Sequence, residues 1–291
     1  MIVITGNAFA LSRIVTVQLR LLVVAVVCIA TNCLPAQAQE LRIATRVRQL
    51  PGTSNPGDKP RLVASSLTLF HHGKVYDYID SAGEVIVFEP RQNRFTILNE
   101  SRSLSADVNF DEVKKLLKVS KKETTEYVRQ QRALLTRSAR ETADALAFQL
   151  EPEFKQRFDK EKELLTLSSP AMRYEVTCGT HRDAKTREAI LNWMDWMARL
   201  NHVLHPHAMR PDARILLNKA LGEHERIPLK VELHARMVSE LDLEAEHQIS
   251  WELIPYDRSL ITRWENMLKS DTIRSTTFRR YQEVVVQTAA N

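Results

Sequence analysis

Three closely spaced histidines are the side chains in this sequence best suited by type to bind a metal ion. His202, His205 and His207 lie in one short segment, and zinc sites often use histidines at such spacing. Pro206 interrupts a helix here, and no nearby thiol or carboxylate completes a ligand set. Histidines at a helix C-terminus can also be explained without a metal, because a protonated imidazole interacts favourably with the negative end of the helix dipole. The three are weak candidates, and we expect neither a metal nor another cofactor.

Other reactive residue types occur without the context that catalysis needs. His71 and His72 fall where a hairpin tip is expected, and polar residues are usual there. Cys178 and His181 are too close in sequence for a typical Cys/His catalytic pair, whose members come from distant parts of a chain. The sequence also lacks the common hydrolase, zinc-protease and phosphate-loop motifs. These observations predict a protein that is not an enzyme.

A stripe of large soft side chains recurs at helical spacing near position 195. It comprises Trp193, Met194, Trp196 and Met197. Such a stripe is typical of a helix packed in a core, yet methionine and tryptophan surfaces also line adaptable hydrophobic pockets. Both interpretations stay open at this point.

The N-terminal segment has the order of a secretory signal peptide. Arg13 and Arg20 precede an apolar run over 21–30, and small residues surround Ala36 and Ala38. This pattern predicts a signal peptide over 1–38, cleavage between Ala38 and Gln39, and a periplasmic or secreted protein. The apolar run is shorter than the roughly 20 residues of a membrane-spanning helix.

Composition limits the classes of partner that the remaining chain would bind. The formal net charge of +5 falls to +3 when Arg13 and Arg20 are removed, and both signs of charge interleave along the chain. Nucleic-acid binders instead concentrate Lys and Arg on one face. We therefore expect no nucleic-acid partner and, after cleavage, no membrane span. Cys178 is the only cysteine beyond the leader, so no internal disulfide is expected, and a buried apolar role is favoured.

Alternation of apolar and polar residues predicts strands in the first third of the expected mature chain. The predicted strands are 41–49, 62–70, 74–79, 84–89, 94–99 and 103–108. Turn-favouring residues stand between most of them, which indicates an antiparallel meander. Three prolines and two glycines over 51–60 predict a mobile loop.

Helical patterns dominate the middle of the chain and strands return afterwards. Asn109 and Ser120 each resemble the start of a capping box, which predicts two helices, the second reaching about position 148. Thr180 with Asp183 three residues later predicts the start of a further helix, which runs to Leu204. Two more helices are expected, from Pro211 to Gly222 and over 259–268. Strands are expected over 162–178, 227–236 and 243–254. A closing strand is suggested within 276–288.

The order of these elements resembles the LolA/LolB-like periplasmic lipoprotein carriers. The similarity lies in the N-terminal strand and meander, the interposed helices, and a C-terminal hairpin whose first strand over 227–233 reads IPLKVEL before a second long strand over 243–254. The segment 67–77, LTLFHHGKVYD, also looks like segments of exported bacterial proteins of unknown function. The resemblance implies a curved, incomplete β-barrel with helices on its concave side and a lipid or lipoprotein as partner. It assigns no binding residue.

Together these features predict an α+β protein: a curved antiparallel sheet, as an incomplete β-barrel, with helices on its concave side. One domain is expected over 39–291, with a mainly helical insertion over 109–222. We hypothesise that the sheet and the helix bearing Trp193, Met194, Trp196 and Met197 enclose a hydrophobic site for a lipid or acylated partner. The alternatives are an envelope structural or interaction protein without a ligand, and a hydrolase of unrecognised type.

Overall fold

Alternating side chains along the chain build one open sheet of twelve strands. The computed structural model describes residues 40–51, 59–205, 208–236 and 240–289. The predicted leader with its cleavage site at Ala38 and Gln39, most of the predicted loop over 51–60, and His207 lie outside these residues. All described elements belong to one compact unit, Gln39–Asn291.

The strands are 4 to 11 residues long and mostly antiparallel. Their bounds are β1 Leu41–Gln49, β2 Arg61–His71, β3 Lys74–Ile79, β4 Glu84–Glu89, β5 Arg94–Asn99, β6 Leu104–Asn109, β7 Lys155–Asp159, β8 Leu164–Ser168, β9 Met172–Gly179, β10 Ile227–Arg236, β11 Glu240–Ser250 and β12 Arg274–Thr277. The order across the sheet is β12-β6-β5-β4-β3-β2-β1-β11-β10-β9-β8-β7. Only the short β12–β6 pair is parallel among the described strands. The curved α+β fold predicted from the sequence is therefore confirmed.

Turn residues set the bounds of the N-terminal meander. Gly83 and Asn93 each occupy the left-handed backbone region, with φ of 58° and 51°, directly after a single 3₁₀ turn. Glycine adopts this region without strain, and asparagine tolerates it better than most residues. Each tight reversal fixes the register of the strand that follows, and β3, β4 and β5 coincide with their predicted bounds.

Six helices cover the sheet among the described residues. They are α1 Phe110–Ala133, α2 Arg137–Leu150, α3 Ala184–Leu204, α4 Asp212–Glu223, α5 Pro255–Leu268 and α6 Phe278–Ala289. Asn109 caps α1 as predicted, because its side chain accepts a hydrogen bond from the Glu112 amide at 2.7 Å. The segment 109–222 also supplies β7–β9, which extend the same sheet.

The two faces of the sheet are covered differently. The inner face, which carries Ile43, Phe88 and Phe95, packs against α1, α3 and α6, and its continuation over β8–β10 packs against α4. On the outer face, α5 covers β2–β5 through Ile261 and the fully buried Trp264. Helices thus lie on both faces of the sheet.

Two sequence-based helix and strand assignments are wrong. α1 continues through Ser120, because no helix-breaking residue precedes it, and the next helix instead begins after Thr136, whose hydroxyl accepts from the Ala139 amide at 3.2 Å. The valines over 284–286 lie in helix α6 and not in a closing strand. Phe278 and Tyr281 of that helix are buried against the inner face, and this packing overrides the β-propensity of the valines.

Other predicted ends moved by a few residues. β11 ends at Ser250, which pairs with Arg42 of β1, four residues before the predicted end. α5 then begins at Pro255, earlier than expected. Gly222 lies inside the last turn of α4 and not beyond its end.

Candidate functional site

A cavity of about 470 Å³ lies between the inner face of the sheet and the helices α3 and α4. Six strands, β1–β3 and β9–β11, form its floor. The apolar part of that floor comprises Val47, Val231, Leu233, Leu243 and Ala245. We call it the α3 cavity. Its volume falls in the range of about 300–1,000 Å³ that is usual for small-molecule sites.

Three of the four predicted ligand-contacting residues line this cavity. Trp193, Met194 and Met197 lie on the face of α3 that turns toward it. Trp196 does not line it and stacks on Phe110 of α1, with ring centroids 3.8 Å apart. Trp193 and Trp196 are three positions apart, so their side chains leave the helix in different directions. Trp193 points toward Phe70 and Trp196 toward Phe110.

Local sequence holds the covering helices in place. The Asp183 side chain accepts a hydrogen bond from the Thr186 amide at 2.8 Å and caps α3. Before α4, the buried Arg210 pairs with Asp212 at 3.2 Å, and its amide donates to Gln149 Oε1 at 3.0 Å. These bonds fix the start of α4, and Arg214, in its first turn, lines the cavity.

A histidine from the floor adds a polar group to the cavity wall. His247 of β11 hydrogen-bonds through Nδ1 to Thr45 Oγ1 of β1 at 2.9 Å. Its Nε2 is shielded from solvent and has no hydrogen-bond partner in the part of the chain that the structure describes. Burial, with a smaller contribution from the charge of Arg214, lowers the pKa of His247 to about 3. The ring is therefore neutral at physiological pH.

A buried carboxyl group lies at the opposite side of the cavity floor. Asp77 of β3 accepts a hydrogen bond from Thr68 Oγ1 at 2.7 Å and is only 5% exposed. Burial raises the pKa of Asp77 to about 6, while hydrogen bonds from Thr68 and Ser66 act in the other direction. β3 is three strand spacings away from β11 across the sheet, roughly 14 Å. The two titratable floor residues therefore belong to separate parts of the cavity.

Sequence reasoning missed Arg214, His247 and Asp77, although each breaks a local pattern. Asp77 and His247 occupy positions where alternation along β3 and β11 places apolar side chains. Arg214 lies on the same helical face as Leu217 and Leu221, which are fully buried. A polar residue in an apolar register is the signal that would have identified them.

The weak metal candidates do not form a metal site in the described structure. His202 is buried, and its two ring nitrogens hydrogen-bond with Ser120 Oγ and the Ala208 carbonyl, each at 3.0 Å. His205 is exposed after the end of α3, and His207 lies outside the described residues. The histidine at the helix end thus joins α1, α3 and the following loop.

Glu40, His71 and His72 form a different cluster of potential ligand atoms. Arg258 of α5, however, binds both carboxylate oxygens of Glu40, at 2.7 and 2.6 Å. His71 Nδ1 lies 2.9 Å from the same carboxylate. Because the guanidinium already neutralises Glu40, we interpret the cluster as an ion pair that connects β1 and β2 to α5.

Cys178 is buried as predicted. Burial raises the pKa of its thiol to about 11, and the Sγ contacts the Val176 carbonyl. Neither it nor His202 lines the α3 cavity. A nucleophile–base pair built from these residues therefore has no support in the geometry.

Two other depressions differ in character from the α3 cavity. One of about 620 Å³ lies at the ends of β9–β11, among charged residues such as Arg173, Arg236 and Asp242. Another of about 410 Å³ lies on the outer face beside α5. There Arg42 pairs with Asp257, and Arg263 with Glu100.

Comparison with known proteins does not identify a family for this chain. No protein-family model matches the chain, and a search of curated proteins finds no match. Across the residues that the structure describes, no helix combines the length and apolarity needed to cross a bilayer.

Proposed function

We propose that this is an exported, non-catalytic binding protein that holds a lipid, or the acyl group of an acylated partner, in the α3 cavity. The observation that carries the proposal is the cavity itself. An apolar floor contributed by β10 and β11 faces Trp193, Met194 and Met197 of α3. Such a surface gains free energy by burying a hydrocarbon chain.

The chemistry of the covering helix favours an acyl chain over a rigid ligand. Methionine is unbranched and polarisable, so Met194 and Met197 adapt to chains of different shape. The Trp193 ring packs edge-on against Phe70, with centroids 5.8 Å apart, and is therefore a fixed wall beside two flexible ones. The volume of about 470 Å³ suits one chain better than several.

The proposal includes a LolA/LolB-like carrier architecture and an extracytoplasmic location. An open, curved sheet with helices over its inner face supports the first. The signal-peptide pattern of residues 1–38 supports the second. Expression of the full chain in a bacterium, followed by N-terminal sequencing of the periplasmic fraction, tests the location. We expect Gln39 as the first residue, and intact leader on cytosolic protein would contradict export.

Native mass spectrometry after mild purification tests the cavity assignment. We expect an added mass that organic extraction releases as a lipid, and we expect binding of added dodecanoate. The variant Ala245→Trp fills the floor of the cavity and should abolish both signals. Ala44→Trp is the matched control, because Ala44 lies on the outer side of β1 and does not line the cavity.

The outcomes separate the proposal from its alternatives. Wild-type protein that carries no lipid and binds neither dodecanoate nor dodecanol would refute it and favour a structural or interaction protein. Equal loss in Ala44→Trp and Ala245→Trp would show that the effect is not local to the cavity, and would equally count against it. Both variants should retain the wild-type circular dichroism spectrum.

A further inference from the structure

Arg214 contributes a positive charge to the α3 cavity that nothing in the described structure neutralises. The residue is half-buried, and no carboxylate of the described residues lies within 4.0 Å of its guanidinium. Within the described ranges, its side-chain hydrogen bond goes from Nη2 to the sulfur of Met194 at 3.6 Å. A guanidinium has five N–H donors, so most of its capacity is unused.

The groups around Arg214 do not supply the missing negative charge. Asp195 of α3 is the acidic residue that influences it, but that carboxylate accepts from Asn218 at 2.7 Å and lies 3.7 Å from Arg199. Tyr174 of β9 and His247 of β11 also face it, and both are uncharged at neutral pH. The nearby Arg210 has its own partner, Asp212.

The neighbouring His247 adds a second polar group beside Arg214. His247 lines the cavity, and the charge of Arg214 contributes to the lowering of its pKa. Among the described residues, its Nε2 has no hydrogen-bond partner. Asp77, which would repel an anion, lies across the floor, about three strand spacings of roughly 4.8 Å from β11. The positive charge therefore lies at the β9–β11 side of the cavity, beside the apolar floor of β10 and β11, and the carboxyl of Asp77 lies at the other side.

We infer that the α3 cavity selects a single-chain lipid with an oxyanion head group, a carboxylate or a phosphate, which Arg214 binds while the chain lies against α3. This inference rests on the proposed function and adds the chemical class of the ligand. A planar guanidinium matches carboxylate or phosphate geometry with two parallel hydrogen bonds. The anion would supply the partner that the folded chain itself lacks.

Binding of three ligands with the same chain tests the inference. Isothermal titration compares dodecanoate, dodecyl phosphate and dodecanol, with acetate and inorganic phosphate to show whether the chain is needed. We expect each anionic lipid to bind at least about tenfold more tightly than dodecanol, since hydrogen bonds to charged groups exceed neutral ones. The short anions should not bind measurably.

Variants at Arg214 test whether this residue causes the preference for anionic lipids over dodecanol. Arg214→Gln should weaken the anionic lipids about tenfold and leave dodecanol within about twofold, and Arg214→Lys should recover part of the preference. Arg46→Gln removes the same charge from the exposed outer side of β1 and is the matched control. Thermal unfolding verifies that each variant folds.

Each result decides a different claim. If dodecanol binds as tightly as dodecanoate, or if Arg214→Gln keeps the preference, the head-group inference fails while the proposed lipid cavity stands. If none of the three lipids binds to the wild type, both fail. Should Arg214→Gln not fold, the wild-type ratio between dodecanoate and dodecanol still decides the inference.

Discussion

Two regions beneath helix α3 are built from the same sheet face and the same helix, yet one is filled and the other is hollow. In the first, which we call the closed aromatic cluster, Phe88, Phe95, Phe110 and Trp196 have neighbouring ring centroids 3.8 to 6.2 Å apart. In the second, the sheet presents the smaller side chains of Ala245, Val231 and Leu243, and the α3 cavity remains. We attribute the difference to the aromatic rings that β4, β5 and α1 place against α3 in the first region.

The largest expected effect distinguishes the two regions by stability. Phe95→Ala removes a fully buried ring from the closed aromatic cluster and should lower the free energy of unfolding by about 3–5 kcal/mol. Met197→Ala in the cavity wall should cost only about 1 kcal/mol, because one side of that residue already faces open space. Urea unfolding of both variants measures the difference. Equal losses would mean that the cavity wall is packed as tightly as the cluster.

The second prediction concerns acid stability through His247. Its pKa is lowered to about 3 in the folded protein, so between pH 6.5 and 3 the unfolded chain takes up a proton that the folded chain does not. Stability is therefore lost as the pH falls below 6.5, by about 3 kcal/mol from this residue at pH 4. Thermal melts of the wild type and His247→Gln from pH 7.5 to 4 test this. The variant should lose less stability, and parallel curves would contradict the prediction.

Asp77 should act with the opposite sign. Its pKa is raised to about 6, so from about pH 4 to 6 the folded protein holds a proton that the unfolded chain has released. This carboxyl favours folding at low pH, and its contribution is lost as the pH rises through 6, by about 2 kcal/mol. Asp77→Asn keeps a polar partner for Thr68 without titrating. The stability of this variant relative to the wild type should increase from pH 4 to 7.5, and a constant difference would refute the assignment.

The smallest effect concerns the unpaired charge of Arg214. Arg214→Met replaces a poorly compensated guanidinium with an apolar side chain of similar length, and should raise the free energy of unfolding of the ligand-free protein by about 1 kcal/mol. The same variant should lose the stabilisation that dodecanoate gives the wild type. Differential scanning fluorimetry with and without dodecanoate measures both. A destabilised ligand-free variant would indicate that Arg214 is structural.

The contrast between these regions also explains what sequence reasoning could and could not reach. Strands β3, β4 and β5 were predictable because Gly83 and Asn93 fix their turns locally, and the apolar stripe of α3 was visible from its spacing. Whether Trp193 or Trp196 would face a gap depends on Phe110 and Ala245, which lie far away in the chain. The same holds for α6, where contacts with the inner face outweigh the preference of its valines.

The position of β1 in the middle of the sheet has a consequence for biosynthesis. Thr45 and its partner His247 are 202 positions apart. During synthesis, the edge of β1 that pairs with β11 therefore stays unpaired until most of the chain has been made. Pairing over such separations is slow and leaves strand edges open to aggregation in the meantime. We therefore expect truncation before β11 to yield insoluble chains, and a chaperone that shields the nascent protein to raise the yield of the complete one.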